Sequence, residues 1–321
     1  MTETGTRSAA ANDGLVQRFA EALARLNPGG GKVGLAVSGG PDSMAMLVLA
    51  HAAAPGAFEV ATVDHGLRAE AAGECAFVQA VCAARGIPCA VLRVQVPPGN
   101  VQASARDARY TALADWAQQR GLAAVATAHH ADDQAETLLM RLNRGSGVAG
   151  LAGVRERTVL PGGDVALIRP LLSFRRAELA GFLANHGLSP VLDPSNEDDR
   201  FDRVRLRKAL ASAAIIDPAA VASSALHLAE ADEALDWAAC REWDERVQVG
   251  EGEVRYSPKA PRAIALRIVE RAISRLGERP RGRAAARLLD ALLAGDGGNV
   301  GGVLARVRRG TWVFTLEPPR R

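Results

Sequence analysis

The sequence predicts an α/β fold: a mostly parallel sheet covered by helices on both faces, followed by a smaller mainly helical domain. Three observations lead there. Short β-branched runs alternate with longer alanine-rich amphipathic runs between residues 33 and 141. The strand-like runs are apolar throughout rather than alternating, the pattern of strands buried on both faces. The polar residues with chemical potential fall where strands hand over to helices, the edge at which such sheets take ligands.

The elements follow in order. A strand is expected at residues 33–37 and a helix at 42–52, then a strand at 58–63 and a helix at about 70–84. A third strand at 88–94 precedes a helix at 104–120, and a fourth at 122–128 precedes a helix at 132–141. This is a Rossmann-like arrangement, with Ser38, Asp64-His65 and His129-His130 at the ends of the first, second and fourth strands. Beyond Gly145 the pattern breaks into a glycine-bearing loop, a hairpin around residues 161–164, a helix at 174–186 and a turn-prone acidic segment at 193–199. A mainly helical section at about 205–239 carries a break at Asp217-Pro218. The last third reads as helices at 261–276 and 284–293, then a closing pair of strands at 300–307 and 311–316 around Arg309-Gly310. The boundary falls near residues 210–220, giving domains 1–215 and 216–321.

Composition narrows the function classes. With 321 residues there is room for one sizeable core plus a second body. Apolar types make up 48% and charged types 23%, which excludes a disordered chain. No apolar run reaches the roughly 18 residues that span a bilayer, and the start lacks the basic and apolar segments of a secretory signal, so cytoplasm is expected. The first dozen residues are expected to fray. The cysteines Cys75, Cys82, Cys89 and Cys240 form no CxxC pair, which argues against a thiolate metal site and for buried thiols. A net charge of +3 is compatible with a nucleic-acid partner, and the basic residues cluster at Arg200, Arg203, Arg205, Arg207 and Lys208 and again at Arg279, Arg281, Arg283 and Arg287.

The most informative motif is Ser38-Gly39-Gly40-Pro41-Asp42-Ser43. Its glycines let the backbone turn with N–H groups directed inward, and the helix after it adds its positive end, a combination suited to phosphate oxygens. Ser38 and Ser43 can add hydroxyl donors. The loop has neither the lysine of a GxxxxGK[ST] loop nor a GxGxxG pattern. Asp42 would repel phosphate unless Mg²⁺ bridges the two, so a metal at Asp42 is expected. A tight turn with Asp42 as helix cap is the purely structural alternative.

A second cluster, His129-His130-Ala131-Asp132-Asp133-Gln134-Ala135-Glu136, places acids in a helix's first turn, where its dipole favours them. Asp133 and Glu136 are three apart and share a face, fit to hold a metal, accept an amine's proton, or both. The alternative is capping, with Asp132 as cap and Glu136 closing the interaction. His65 ends the second strand, and Arg106, Arg109 and Tyr110 share a helix start where an arginine fork can bridge phosphate or carboxylate. Around residues 193–208, basic residues would position a polynucleotide backbone and Asn196 would read a base edge.

Taken together, SGGPDS at 38–43, VDHGLR at 63–68, SARDARY at 104–110, TAHHADDQAETLL at 127–139, RGSG at 144–147, GLAG at 150–153, RPLL at 169–172 and DPSNEDDRFDRVRLR at 193–207 resemble the tRNA(Ile)-lysidine synthases, within the N-type ATP pyrophosphatases or PP-loop superfamily. The resemblance implies ligation of free L-lysine to C2 of the wobble cytidine in the CAU anticodon of tRNA(Ile), through an adenylated base, with ATP and Mg²⁺ consumed or bound. It implies that Ser38, Gly39, Gly40, Pro41, Asp42 and Ser43 cradle the nucleotide with His65 and His129, that Asp42 holds the metal, and that Asp42, Arg109, Asp133 and Glu136 are catalytic. Asn196, Arg203, Arg205 and Arg207 would face RNA. Val204 stands where the family commonly has asparagine. The carboxy-terminal third looks like a helical tRNA-binding domain, and a homodimer stays open. A thiolation enzyme of the same superfamily would need reactive or cluster-binding cysteines, an amidotransferase a glutaminase domain, and a non-catalytic regulator would not need the Asp133 and Glu136 pair.

Overall fold

The computed structural model describes residues 3–66, 70–95, 101–191, 202–212, 216–280 and 283–317. The chain divides into two compact units, Met1–Leu228 and Ala229–Arg321.

The first unit is built on a six-stranded sheet. Its strands are β1 (Val33–Ala36), β2 (Phe58–Asp64), β3 (Cys89–Arg93), β4 (Ala124–Ala126), β5 (Arg157–Val159) and β6 (Ala166–Ile168), in the order β3-β2-β1-β4-β6-β5. All pairings are parallel except β5 with β6, which form the expected hairpin at the edge. Leu35 lies opposite both Val60 and Ala126, so β1 is central and the strand order reverses between β1 and β4. That reversal opens a crevice at the carboxyl ends of these two strands.

Helices α1 (Glu3–Leu26), α2 (Pro41–Ala53), α3 (Glu70–Ala83) and α7 (Arg176–Asn185) bury Phe19, Met44, Leu47, Val78, Phe182 and Leu183 in one core with β1 and β2. Helix α4 (Val101–Gln119) fills a separate core with Leu113, Trp116 and Ala117 against Val125 and Leu167. Helices therefore cover both faces, as the apolar strands demand. The expectation of fraying at the start is corrected: α1 begins at Glu3, and Leu15, Phe19 and Leu26 are buried at helical spacing. Helix α5 (Ala131–Asn143) follows β4, and the short α6 (Val148–Leu151) leads to Gly153. Helix α8 (Asp202–Ser212) carries the described part of the basic segment, and α9 (Pro218–Arg246) starts at the expected Asp217-Pro218 break.

The second unit contains the end of α9 together with α10 (Arg262–Leu276) and α11 (Ala284–Leu293). Ile268, Ile273 and Leu289 pack with Tyr256, Trp312 and Phe314 of a five-stranded antiparallel sheet, ordered β7-β8-β11-β10-β9. The closing pair, β10 (Val303–Arg308) and β11 (Thr311–Leu316), is the one expected from sequence. Arg309 (φ 50°) and Gly310 (φ 79°) form its turn, both in the left-handed region that a two-residue hairpin of this kind requires. Strands β7 (Val247–Gly250), β8 (Glu253–Tyr256) and β9 (Gly298–Val300) extend the sheet beyond that pair. Among the described residues no helix is long and apolar enough to cross a membrane.

Cys75 and Cys82 are buried and Cys89 is half-buried, whereas Cys240 is exposed, correcting the expectation of buried thiols at that position.

Candidate active site

The crevice at the carboxyl ends of β1 and β4 is a pocket of about 840 Å³. Gly39 turns the chain out of β1 with φ of +86°, and Gly40 then caps α2, with Pro41 at the first helical position. The Ser43 hydroxyl donates to the Gly40 carbonyl (3.0 Å), accepts from the Ser38 N–H (3.1 Å), and lies 3.2 Å from the Ser38 hydroxyl. These bonds hold the loop in shape before any ligand arrives. No side chain caps α2, so Asp42 does not serve as its cap.

Asp42 is tied instead to His130. Their Oδ2 and Nε2 atoms are 3.4 Å apart. Burial opposes charge on Asp42, but the His130 contact, then Arg176 and Arg207, outweigh it and hold its carboxyl below the usual range. Burial likewise opposes charge on His130, and Asp42, Asp133 and Asp132 reverse this and raise it. Asp42 is therefore an ionised oxygen donor at neutral pH. No group of three or more metal-ligating side chains occurs among the described residues, so a divalent ion at Asp42 would draw its other ligands from phosphates and water, the habit of Mg²⁺.

The start of α5 differs in detail from the capping alternative read from the sequence. His130 is the cap: its Nδ1 accepts from the Asp133 N–H (3.4 Å), and Asp133 Oδ2 accepts from the His130 N–H (3.1 Å). Asp132 reaches another helix, accepting from the Arg176 N–H at the start of α7 (2.8 Å). Gln134 bonds both ways to the backbone of Val154, at 2.6 and 2.8 Å, which fixes the chain after α6. Arg141 donates to the Gly150 and Gly153 carbonyls from the same helix.

Asp133 and Glu136 do share a face, and arginines of α8 already meet them. Arg203 spans the pair, Nη2 to Asp133 Oδ1 at 2.7 Å and Nε to Glu136 Oε2 at 2.6 Å. Arg207 adds Nε to Glu136 Oε1 at 2.7 Å. Glu136 is almost wholly buried; desolvation pushes its carboxyl up, and the two guanidiniums more than offset this and hold it low. The carboxylate is thus a fixed anion that holds cations rather than a group poised to take a proton.

Of the expected site residues, Ser38, Gly40, Pro41, Asp42, Ser43, His65, Arg109, His129, Asp133, Arg203 and Arg207 all line this one pocket. Gly39 shapes it without lining it, and Glu136 lies behind Arg203 and Arg207. Arg205 is exposed and pairs with Asp202 within α8. Asn196 lies outside the described residues, as do Arg200 and Arg281. Val204 is buried in the pocket wall, where its apolar side chain provides no amide. Sequence reasoning gave no special role to His130, Arg176, Lys208 or Arg169. His130 stood next to His129 with nothing to separate them, and Arg176 carried no motif signal beyond its place at a helix start.

His129 accepts or donates to the Thr127 hydroxyl at 3.0 Å, and its own titration is pushed down to about 3 by burial first and then by Arg169, Arg106, Arg109 and Arg203. It is a neutral imidazole at physiological pH, able to hydrogen-bond without repelling a cation.

Comparison with known proteins agrees with this geometry. The family model described as a PP-loop domain matches residues 13–214. The tRNA(Ile)-lysidine synthase of Novosphingobium aromaticivorans is 51% identical over 96% of this chain and 95% of its own. That of Zymomonas mobilis is 38% identical over 92% of this chain and 91% of its own. Among solved structures, the U34-tRNA thiolase NcsA of Methanococcus maripaludis, with its 4Fe-4S cluster, shares the fold at a TM-score of 0.54, covering 68% of this chain and 80% of that one at 16% identity. With a phosphate-cradling loop and a carboxylate pair in one pocket, and relatives aligned over nearly the whole length, the chain belongs to the tRNA(Ile)-lysidine synthase family, ligases of the PP-loop ATPase superfamily.

Proposed function

We propose that this chain ligates free L-lysine to C2 of the wobble cytidine in the CAU anticodon of tRNA(Ile). The cytidine C2 oxygen attacks the α-phosphorus of ATP, and pyrophosphate leaves. The lysine side-chain amine then forms the new C–N bond at C2, AMP departs with the oxygen, and the amine loses its proton. The C2 oxygen is a poor leaving group until it carries the adenylyl group, so the phosphate cradle and the amine site have to meet in one place.

The observation that carries this reading is the single pocket lined by both Asp42 and Asp133, with Glu136 directly behind. Ser38, Gly39, Gly40, Pro41 and Ser43 would surround the departing pyrophosphate, and Asp42 would hold Mg²⁺, which neutralises phosphate charge there. Arg109 and His129 would border the nucleotide. Arg203 makes with Asp133 and Glu136 the contacts that an incoming ammonium would make, so the carboxylates orient the amine once Arg203 releases them. Arg203, Arg205 and Arg207 would turn toward RNA with Asn196. The first unit is then catalytic, the second binds tRNA, and the reaction takes place in the cytoplasm.

Asp133→Asn and Glu136→Gln are expected to abolish lysine transfer. Each variant is tested with ATP, radiolabelled lysine and tRNA(Ile), with folding checked by circular dichroism. Full incorporation by either folded variant would remove that residue from the site.

A further inference from the structure

The pocket has a cationic side that the transfer chemistry above leaves unused. Arg169 directly follows β6, which lies beside β4 with Ile168 opposite Ala126, so it stands at the carboxyl edge next to Thr127 and His129. It is 5% exposed; its Nη1 is engaged by the Arg155 carbonyl at 2.5 Å and the Thr158 hydroxyl at 3.4 Å, and its Nε has no hydrogen-bond partner. The Tyr110 hydroxyl, 8% exposed, has none either. Tyr110 and Arg169 attract each other without reaching hydrogen-bond geometry. Arg106 and Arg109 lie over the Tyr110 ring, 5.0 and 5.2 Å from its centre. No carboxylate pairs with Arg106, Arg109 or Arg169 among the described residues, although a buried guanidinium is strongly disfavoured without a counter-anion. A buried hydroxyl with nothing to bond adds to that cost.

We infer that Arg169 and the Tyr110 hydroxyl, with Arg109 and Arg106 at the mouth, form the subsite for the α-carboxylate of the amino-acid substrate. The inference rests on lysine being that substrate. The arrangement of the sheet separates this subsite from the phosphate loop: β4 lies between β1 and β6, which sets Ser38 and Arg169 two strand spacings apart, roughly 10 Å. Phosphates seated on the loop do not span that distance while keeping their cradle. The depth of Arg169 and Tyr110 favours a slender carboxylate over the phosphate of a polynucleotide backbone, which meets cations at a surface. The two poles then fit one zwitterion, its side-chain amine toward Asp133 and Glu136 and its carboxylate toward Arg169. The positive field that keeps His129 neutral is the same field that would receive the carboxylate.

The test measures ligation of lysine and of lysinamide, which keeps both amines but carries an uncharged amide in place of the carboxylate. The unaltered enzyme is expected to use lysinamide about 100-fold less well in kcat/KM, because a site built around a charged group rejects the analogue lacking it. Arg169→Gln should lower kcat/KM for lysine by about 50-fold, through KM, and change lysinamide by less than about 3-fold. Tyr110→Phe retains the ring under Arg106 and Arg109 and should show the same selective loss at about 5-fold, which decides the matter if Arg169→Gln does not fold. Equal losses on both substrates would overturn the assignment. So would a raised KM for tRNA with the lysine-to-lysinamide ratio unchanged, which would assign these groups to an RNA phosphate. Absence of ligation by the unaltered enzyme would instead contradict the transfer reaction itself.

Discussion

Asp42 shows what one side chain's surroundings decide. In the sequence it is an acid in a phosphate loop, at odds with its neighbours unless a cation intervenes. In the structure it neither caps α2 nor bonds the loop; its carboxylate faces the buried His130, which anchors it from the start of α5. With its titration held low, Asp42 is charged at neutral pH and available to a metal. Asp42→Asn keeps the size and removes the charge. It is expected to lower ATP-dependent lysine transfer by at least about 100-fold in a steady-state assay at saturating Mg²⁺, a loss on the scale of removing one charge-stabilising group. Retained activity would return Asp42 to a structural role. The histidine pair divides in the same way. His130 caps a helix and steadies Asp42, while His129 is neutral and borders the pocket. Adjacent identical residues have different work because the first precedes the cap and the second is the cap, a distinction set by backbone direction that composition does not carry.

At the scale of elements, motifs around the site act as fasteners as much as reactants. Gly153 has φ of +65°, and a Cβ there would lie 2.5 Å from the Gln134 side-chain oxygen. Gln134 in turn holds Val154 by two backbone bonds, so α5 and the segment after α6 are locked together. Gly153→Ala is therefore expected to cost about 2 kcal/mol or more, from left-handed strain plus a displaced buried amide, and thermal or urea unfolding measures it. At the opposite end of the sheet, Glu59 of β2 accepts from Arg120 at 2.8 and 2.9 Å and from Lys32 at 2.9 Å, which holds its carboxyl at about 2. Its folded value lies below its unfolded one, so its stabilising contribution is full above the unfolded value near 4.5 and is lost as pH falls toward about 2. Unfolding of the native protein and Glu59→Gln should differ most at neutral pH, with the gap closing between about pH 4.5 and pH 2. A gap that persists at pH 2 would mean that shape, not charge, holds the contact.

At the scale of the whole molecule, the parallel sheet and its ligand edge were legible because fully buried strands announce themselves as continuous apolar runs, and because the handover residues Ser38, His65 and His129 follow those runs. The amino-terminal helix was not, since its apolar spacing begins only near Leu15 after a run of small and polar residues. Strands β7 to β9 span three or four residues each, too few to show a period, and their burial comes from α10 and α11 packing over them. Residue types of the site were legible, but their contacts were not: nothing in the order of residues says that Arg203 and Arg207 fold back onto Asp133 and Glu136, about seventy positions earlier. The account joins those contacts, the phosphate loop and the family's substrate into one reaction. The measurement that tests it most directly offers the purified protein ATP, Mg²⁺, radiolabelled lysine and a panel of tRNAs, followed by mass analysis of the nucleosides. The account predicts lysine attached to cytidine in tRNA(Ile) bearing a CAU anticodon and in no other tRNA of the panel, with AMP and pyrophosphate formed in equal amounts. Labelling of a different CAU tRNA, or ATP cleavage to ADP without lysine attachment, would contradict it.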